Sequence, residues 1–261
     1  MVPHIKTPKL PQIAISTKLS AAEFPNQESV TDIGRKHQDV FRHPELVTKV
    51  IILDPQMTVN TPHQPWVSSG MKLFADCFEQ FCSPKHHPFV DALVLHTIRR
   101  INQYLLRSIN EPVDLDVRAM LQHTAWMTLY GIRSLGTALI AALRHQVRPF
   151  CGVPHAIVSA IVFPHCINFN RPLIDERLAI TAKTMDLAAR KSVEGDAAEA
   201  IDKAKGLIHD VGLPRRLRDV GRNRGHFKSI AEAVMDDSAI KSNAKPIERA
   251  DQLLGIPREA G

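Results

Sequence analysis

The apolar positions of this chain change their period once, near residue 61, and the two sides of that point predict different structures. Before it, "QIAIS" at residues 12–16 and "TKVIILD" at residues 48–54 are short, β-branched and bounded by proline or turn residues, the pattern of buried strands. Two strands alone are marginal in water, so residues 1–61 are expected to be part of a larger α/β unit. Beyond residue 61 the apolar residues recur at three- and four-residue steps. In "HPFVDALVLHTIRRINQYLL" the residues Val90, Leu93, Val94, Ile98, Ile101 and Leu105 form the stripe of an amphipathic helix. Similar spacing predicts helices over residues 116–130, 173–189 and 197–211, the last stopped by Gly212, Leu213 and Pro214. The expected fold is mainly α, with residues 62–261 an all-helical domain.

The stretch "HQVRPFCGVPHAIVSAIVFPHCINFN" carries the densest candidate chemistry. Pro154 suits a first helical turn, and "AIVSAIVF" continues that helix until Pro164 kinks or ends it. His155 then stands at a helix N-terminus, where the dipole opposes an added proton and favours a neutral or metal-bound imidazole. It reads either as a ligand or proton-transfer group, or as a capping histidine packed at a helix junction. His145 reaches the same cavity if the chain turns at Pro149 and Gly152. His165 lies about 280° around the helix from His155 and is expected to face elsewhere.

Composition narrows the classes. With 44% hydrophobic and 23% charged residues the chain is of ordinary globular type, which sets disorder aside. The net charge of +6 is scattered in pairs, Arg99 with Arg100 and Arg215 with Arg216, so nucleic acid is not the expected partner; a small anionic ligand fits the charge equally well. The four cysteines form no C-x-x-C pair and read as reduced thiols. "MVPHIKTPKLPQ" lacks the apolar core of a signal peptide and no apolar run nears about twenty residues, so a cytoplasmic protein with no membrane partner is expected. His96 and His123 read as core or boundary residues, Trp66 and Trp126 as packing residues, and His86 and His87 as members of a solvent-facing turn.

Several motifs in order resemble the iron-dependent alcohol dehydrogenase family. "CGVPHAIVSAIVFPHCINFN" is similar to that family's G-x-P-H-G helix, and is closest to the maleylacetate reductase-like branch. "IAISTKLSAAEF" resembles its strand and P-T-T loop, "ILDPQMTVNTP" its D-P-x-x-T-x-x-x-P segment, and "SSGMKLFADCFE" its G-M-[DR]-A-L-x-H-x-x-E helix. "LPRRLRDVG" resembles a late loop and "SNAKPI" the N-P-[RK]-P-I motif. The resemblance implies the dehydroquinate synthase-like fold of that family: an α/β dinucleotide-binding domain, here a remnant over residues 1–61, followed by a helical metal and substrate domain over residues 62–261. It implies hydride transfer between NAD or NADP and a small carbonyl or alcohol, with a divalent iron or zinc polarising the substrate oxygen.

Carried over by position, the family's metal-binding Asp falls on Lys72, its first ligand His on Asp76, its second on Ala141 and its last on His155; the non-ligand His is retained as His145. The metal candidates are therefore Asp76 and His155, two against the usual three or four, and the catalytic candidates are His145 and Lys72. Lys72 and Asp76 read as an i,i+4 salt bridge, or as an ammonium that takes over part of the metal's charge and polarises a carbonyl, with His145 or His155 as proton donor. The P-T-T loop reads "STKL", making Thr17, Lys18 and Leu19 the cofactor-binding candidates. The family's Gly-Gly-Gly-Ser diphosphate turn has no counterpart among these residues, which implies a chain short of the family's N-terminal part. Two functions follow: an oxidoreductase of this type, or a truncated, catalytically inactive relative acting as a binding or structural module. An apolar face left uncovered would drive association into homo-oligomers.

Overall fold

The computed structural model describes residues 10–32, 34, 37–188, 192–221, 224–256 and 260. Residues 1–9, which open the segment read for a signal peptide, and Ala189, the end of one predicted helix, lie outside the described residues. Strands β1 (Ile13–Ile15) and β4 (Val50–Ile52) pair in parallel, with Ile13 opposite Val50 and Ile15 opposite Ile52. Between them in sequence, β2 (Gln27–Asp32) and β3 (His37–Arg42) form an antiparallel hairpin. The hairpin was not predicted, because "QESVTD" and "HQDVFR" carry too few apolar residues to show an alternation. The expectation that β1 and β4 are buried is corrected: Ile13, Ile15, Val50 and Ile52 are all exposed, since no third strand joins this pair among the described residues.

The helices are α1 (His63–Phe81), α2 (Pro88–Tyr104), α3 (Arg107–Asn110), α4 (Leu115–Leu135), α5 (Leu139–Cys151), α6 (His155–Thr184), α7 (Val193–Asp210) and α8 (Phe227–Met235). Their ends follow local chemistry. The Asp114 carboxylate accepts from the N–H groups of Asp116 and Val117 at the start of α4, and the Ser192 hydroxyl accepts from Gly195 N–H at the start of α7. Gly212 takes a left-handed φ of 71° just past α7, as the sequence predicts. Two proline expectations are corrected. Pro149 lies inside α5, so the turn between His145 and His155 is made at Gly152, with φ 65°. Pro164 neither ends nor interrupts α6, which runs 30 residues through Pro164 and Pro172 and absorbs the helix expected over residues 173–189, stopping at Thr184. Packing of α6 against α1, α5 and α7 holds it through the backbone bonds that proline deletes.

Helix α1 lies at the centre, against α2, α4, α5 and α6. Phe74, Phe78 and Phe163 meet there with ring centroids 5.0–6.0 Å apart. Trp66 is buried and donates to Ser108 Oγ at 2.8 Å. His123, expected in the core or at its boundary, and Trp126, expected to pack, are exposed on α4; Trp126 rests edge-on against Tyr130. All four cysteines are buried and none is in a disulfide, and burial pushes the Cys77 and Cys82 thiols up to about 12. No single helix among the described residues is long and apolar enough to cross a membrane.

Candidate active site

Three helices and one turn converge on the candidate residues. Lys72 and Asp76 are one turn apart on α1, Arg144 and His145 lie on α5, and His155 and Ser159 open α6. Asp237 precedes the 3-10 turn Ser238–Ser242, which packs on α5. The spacing of four sets Lys72 beside Asp76, with Nζ 2.9 Å from Oδ2. The other oxygen is taken by a residue the sequence did not single out: Arg144 Nη1 lies 2.6 Å from Asp76 Oδ1 and 3.4 Å from Ser159 Oγ. The Ser159 hydroxyl donates to the carbonyl of His155 at 3.1 Å, tying this cluster to the first turn of α6. Asp76 and Arg144 are buried, whereas Lys72 keeps 18% of its side chain exposed.

The electrostatics follow from that burial. Removal from water opposes the charge on Asp76, but Arg144 and Lys72 outweigh it and hold the carboxyl below its ordinary range. The same pairing overcomes the burial of Arg144 and raises its guanidinium. Burial first, and then Arg144, His145, Arg148 and Lys72, push His155 down to about 3, so its imidazole is neutral at physiological pH. Its Nε2 is buried with no hydrogen-bond partner among the described residues. That leaves His145, of the two histidines named as proton donors, as the one with an anionic partner.

His145 Nδ1 lies 2.8 Å from Asp237 Oδ2, and the Gln146 amide donates to the same oxygen at 3.4 Å. The second Asp237 oxygen accepts from Ala239 N–H, so the carboxylate is fixed at both ends. Burial works against the Asp237 charge, and His145 together with the hydrogen bonds from Ala239 N–H and Gln146 more than compensates, leaving the carboxyl lowered. The His145 and His155 rings are 5.9 Å apart between centroids. Like Arg144, Asp237 escaped the sequence reading; its only signal was a place six residues before Asn243 of "SNAKPI".

A divalent metal does not suit these residues. Both oxygens of Asp76 face cations, Ala141 is buried and offers no donor atom, and no group of three or more His, Cys, Asp or Glu able to hold an ion occurs among the described residues. The cofactor candidates sit at the carboxyl end of β1, the edge where open α/β sheets take ligands. Thr17 and Lys18 are exposed there. Leu19 is fully buried and its N–H donates to Ser69 Oγ at 3.0 Å, so it anchors this loop to α1 one turn before Lys72. Gln122 braces the same edge through the carbonyls of Ser16 and Asp54.

Two of the sequence motifs prove to be one clamp. Asn170 and Asn243 exchange amide hydrogen bonds at 3.0 and 2.8 Å, and Asn170 Oδ1 also accepts from Lys245 N–H. This pins the segment that follows Asp237 to α6.

Residues 66–258 match a family model described as "Fe-containing alcohol dehydrogenase family, C-terminal". Over 250 residues the chain is 28% identical to the probable alcohol dehydrogenase EutG of Escherichia coli (strain K12), an alignment covering 95% of this chain and 62% of that protein. The crystal structure of a 1,3-propanediol oxidoreductase superposes with a TM-score of 0.92 at 23% identity, covering 100% of this chain and 69% of the other. Maleylacetate reductase from Rhizobium sp. strain MTP-10005 superposes at 0.79 with 22% identity, covering 96% and 67%. These two likenesses establish a shared fold. The chain thus spans about 62% of the length of its E. coli relative.

Proposed function

The chain belongs to the Fe-containing alcohol dehydrogenase family, and from that premise we propose that it serves as an oxidoreductase passing hydride between NAD or NADP and a small carbonyl or alcohol. The hydride is what nicotinamide supplies or receives when it is bound. The residues of this chain handle the substrate oxygen and its proton. The observation that carries the reading is the His145–Asp237 pair at 2.8 Å, with the His155 ring 5.9 Å from that of His145. A carboxylate at Nδ1 orients the ring, and Nε2 is then the nitrogen that exchanges a proton with the substrate oxygen. Thr17 and Lys18 would hold a cofactor phosphate, with Leu19 fixing their loop. Residues 1–61 serve as the cofactor side and residues 62–261 as the substrate side.

The test is a fluorescence titration of the purified protein with NADH and NADPH, followed by assays of NADH or NADPH consumption with short aldehydes. Saturable micromolar binding and aldehyde-dependent oxidation are expected. Failure of both cofactors to bind would overturn the reading. It would leave the second one, a non-catalytic binding or structural module, which the neutralised Asp76 favours.

A further inference from the structure

Lys72 and Asp76 occupy two of the positions at which the family resemblance places metal ligands, and with Arg144 beside them the charges are those of a site built without one. Asp76 supplies one negative charge, and two cations approach it from different helices, Arg144 Nη1 at 2.6 Å and Lys72 Nζ at 2.9 Å. Arg144 comes from the turn after Ala141, three residues on and therefore on the same side of α5. Where the resemblance places an imidazole ligand, α5 thus presents a methyl group, and one turn later a guanidinium that reaches Asp76. A divalent ion brought to this carboxylate would meet two fixed positive charges in a buried setting, where repulsion is poorly screened.

We propose that this chain has exchanged the metal for a built-in pair of cations, with Arg144 as the buried counter-ion of Asp76 and the Lys72 ammonium as the group that takes the substrate's carbonyl oxygen. The division of labour follows from exposure. Arg144 is 7% exposed, held by Asp76 and Ser159, and its charge is spent inside the protein. Lys72 is the more exposed of the two; an ammonium has three N–H donors, and Asp76 occupies one side of it. Near the same cluster, His155 Nε2 is a buried polar atom with no partner among the described residues, a position that a ligand's polar atom would satisfy.

The chemistry rests on the oxidoreductase reading. Hydride adds to the carbonyl carbon, a C–H bond forms and the C=O π bond breaks with its electron pair moving to oxygen. The Lys72 ammonium stabilises that oxyanion by hydrogen bonding and keeps its own protons. The proton that completes the alcohol comes from the His145 imidazolium, with Asp237 holding the ring. Oxidation of an alcohol runs through the same steps in reverse.

Two measurements test the proposal, and the first needs no activity. The metal content of protein grown with added iron and zinc, together with calorimetric titration of zinc and ferrous ion, is expected to give well under one ion per chain and no saturable micromolar binding. Chelator is expected to leave the melting temperature unchanged. About one tightly held ion per chain would overturn the exchange outright. The second compares Lys72→Met and Lys72→Arg in aldehyde reduction. Lys72→Met is expected to lose about 100-fold in kcat with the KM for NADH unchanged, and Lys72→Arg to recover part of that loss. Full activity in Lys72→Met would overturn the role of the ammonium. Metal-free protein that binds no nicotinamide would instead mark failure of the oxidoreductase reading: the exchange of metal for cations would stand, and the catalytic role of Lys72 would fall.

Discussion

His145 Nδ1 and Asp237 Oδ2 lie 2.8 Å apart across 92 residues of sequence. The carboxylate is also anchored by Ala239 N–H and by the Gln146 amide, so it acts as a fixed support for the imidazole and not as a mobile surface charge. Asp237→Asn keeps the shape and the bond from Ala239 but removes the charge. The expected result is a loss of kcat of about 10- to 100-fold, with the KM values little changed. A variant with the wild-type kcat would show that Asp237 only caps its turn.

The buried ion pair of Arg144 and Asp76 sets an order of stabilities. Removing one partner of such a pair leaves a charge without compensation and costs about 3–5 kcal/mol. Arg144→Met is expected near the lower end, because Lys72 still faces Asp76. Lys72→Met removes a partly exposed partner and is expected to cost about 1 kcal/mol or less. Urea denaturation of both variants checks the ranking; a Lys72→Met protein less stable than Arg144→Met would reverse it.

Glu79 gives a pH dependence of definite sign. It accepts from Ile140 N–H at 2.6 Å at the start of α5, and burial raises its carboxyl from 4.5 to about 7. Between those values the unfolded chain has lost this proton and the folded chain keeps it. The folded state binds more protons there, so the contribution of Glu79 to stability falls as pH rises from 4.5 to about 7 and is level above. Glu79→Gln keeps an acceptor and cannot ionise. The difference in urea midpoint between wild type and this variant is expected to move against the wild type between about pH 5 and about pH 8; a constant difference would sink the assignment.

Gly131 of α4 faces Gln80 of α1 and Val90 of α2. A Cβ there would stand 1.7 Å from Gln80 Oε1, 2.6 Å from Gln80 Cδ and 3.0 Å from Val90 Cγ1, and Gln80 is itself buried. Gly131→Ala gains about 1 kcal/mol of helix propensity, but overpacking of this kind costs about 1–3 kcal/mol. A net loss of stability is expected, read as a lower melting temperature. A rise would mean that Gln80 moves aside without cost.

What the sequence by itself determined is the part of the molecule governed by neighbours along the chain. The apolar stripe of α2, the stop at Gly212 and the four-residue step that sets Lys72 against Asp76 all depend on bonds and contacts made within one or two turns. The motifs around Gly70, His155 and Asn243 made the family resemblance legible as well, though not the reason for each residue: Asn170 and Asn243 read as separate motifs and turn out to be one clamp. Local rules misled where packing outweighed them, at Pro164 inside α6 and at the exposed isoleucines of β1. Only the tertiary structure decided the site. Arg144 meets Asp76 across 68 residues and Asp237 meets His145 across 92, because α1, α5, α6 and the turn after α8 pack together. No periodicity encodes such meetings, since they arise from where whole helices bury their apolar faces.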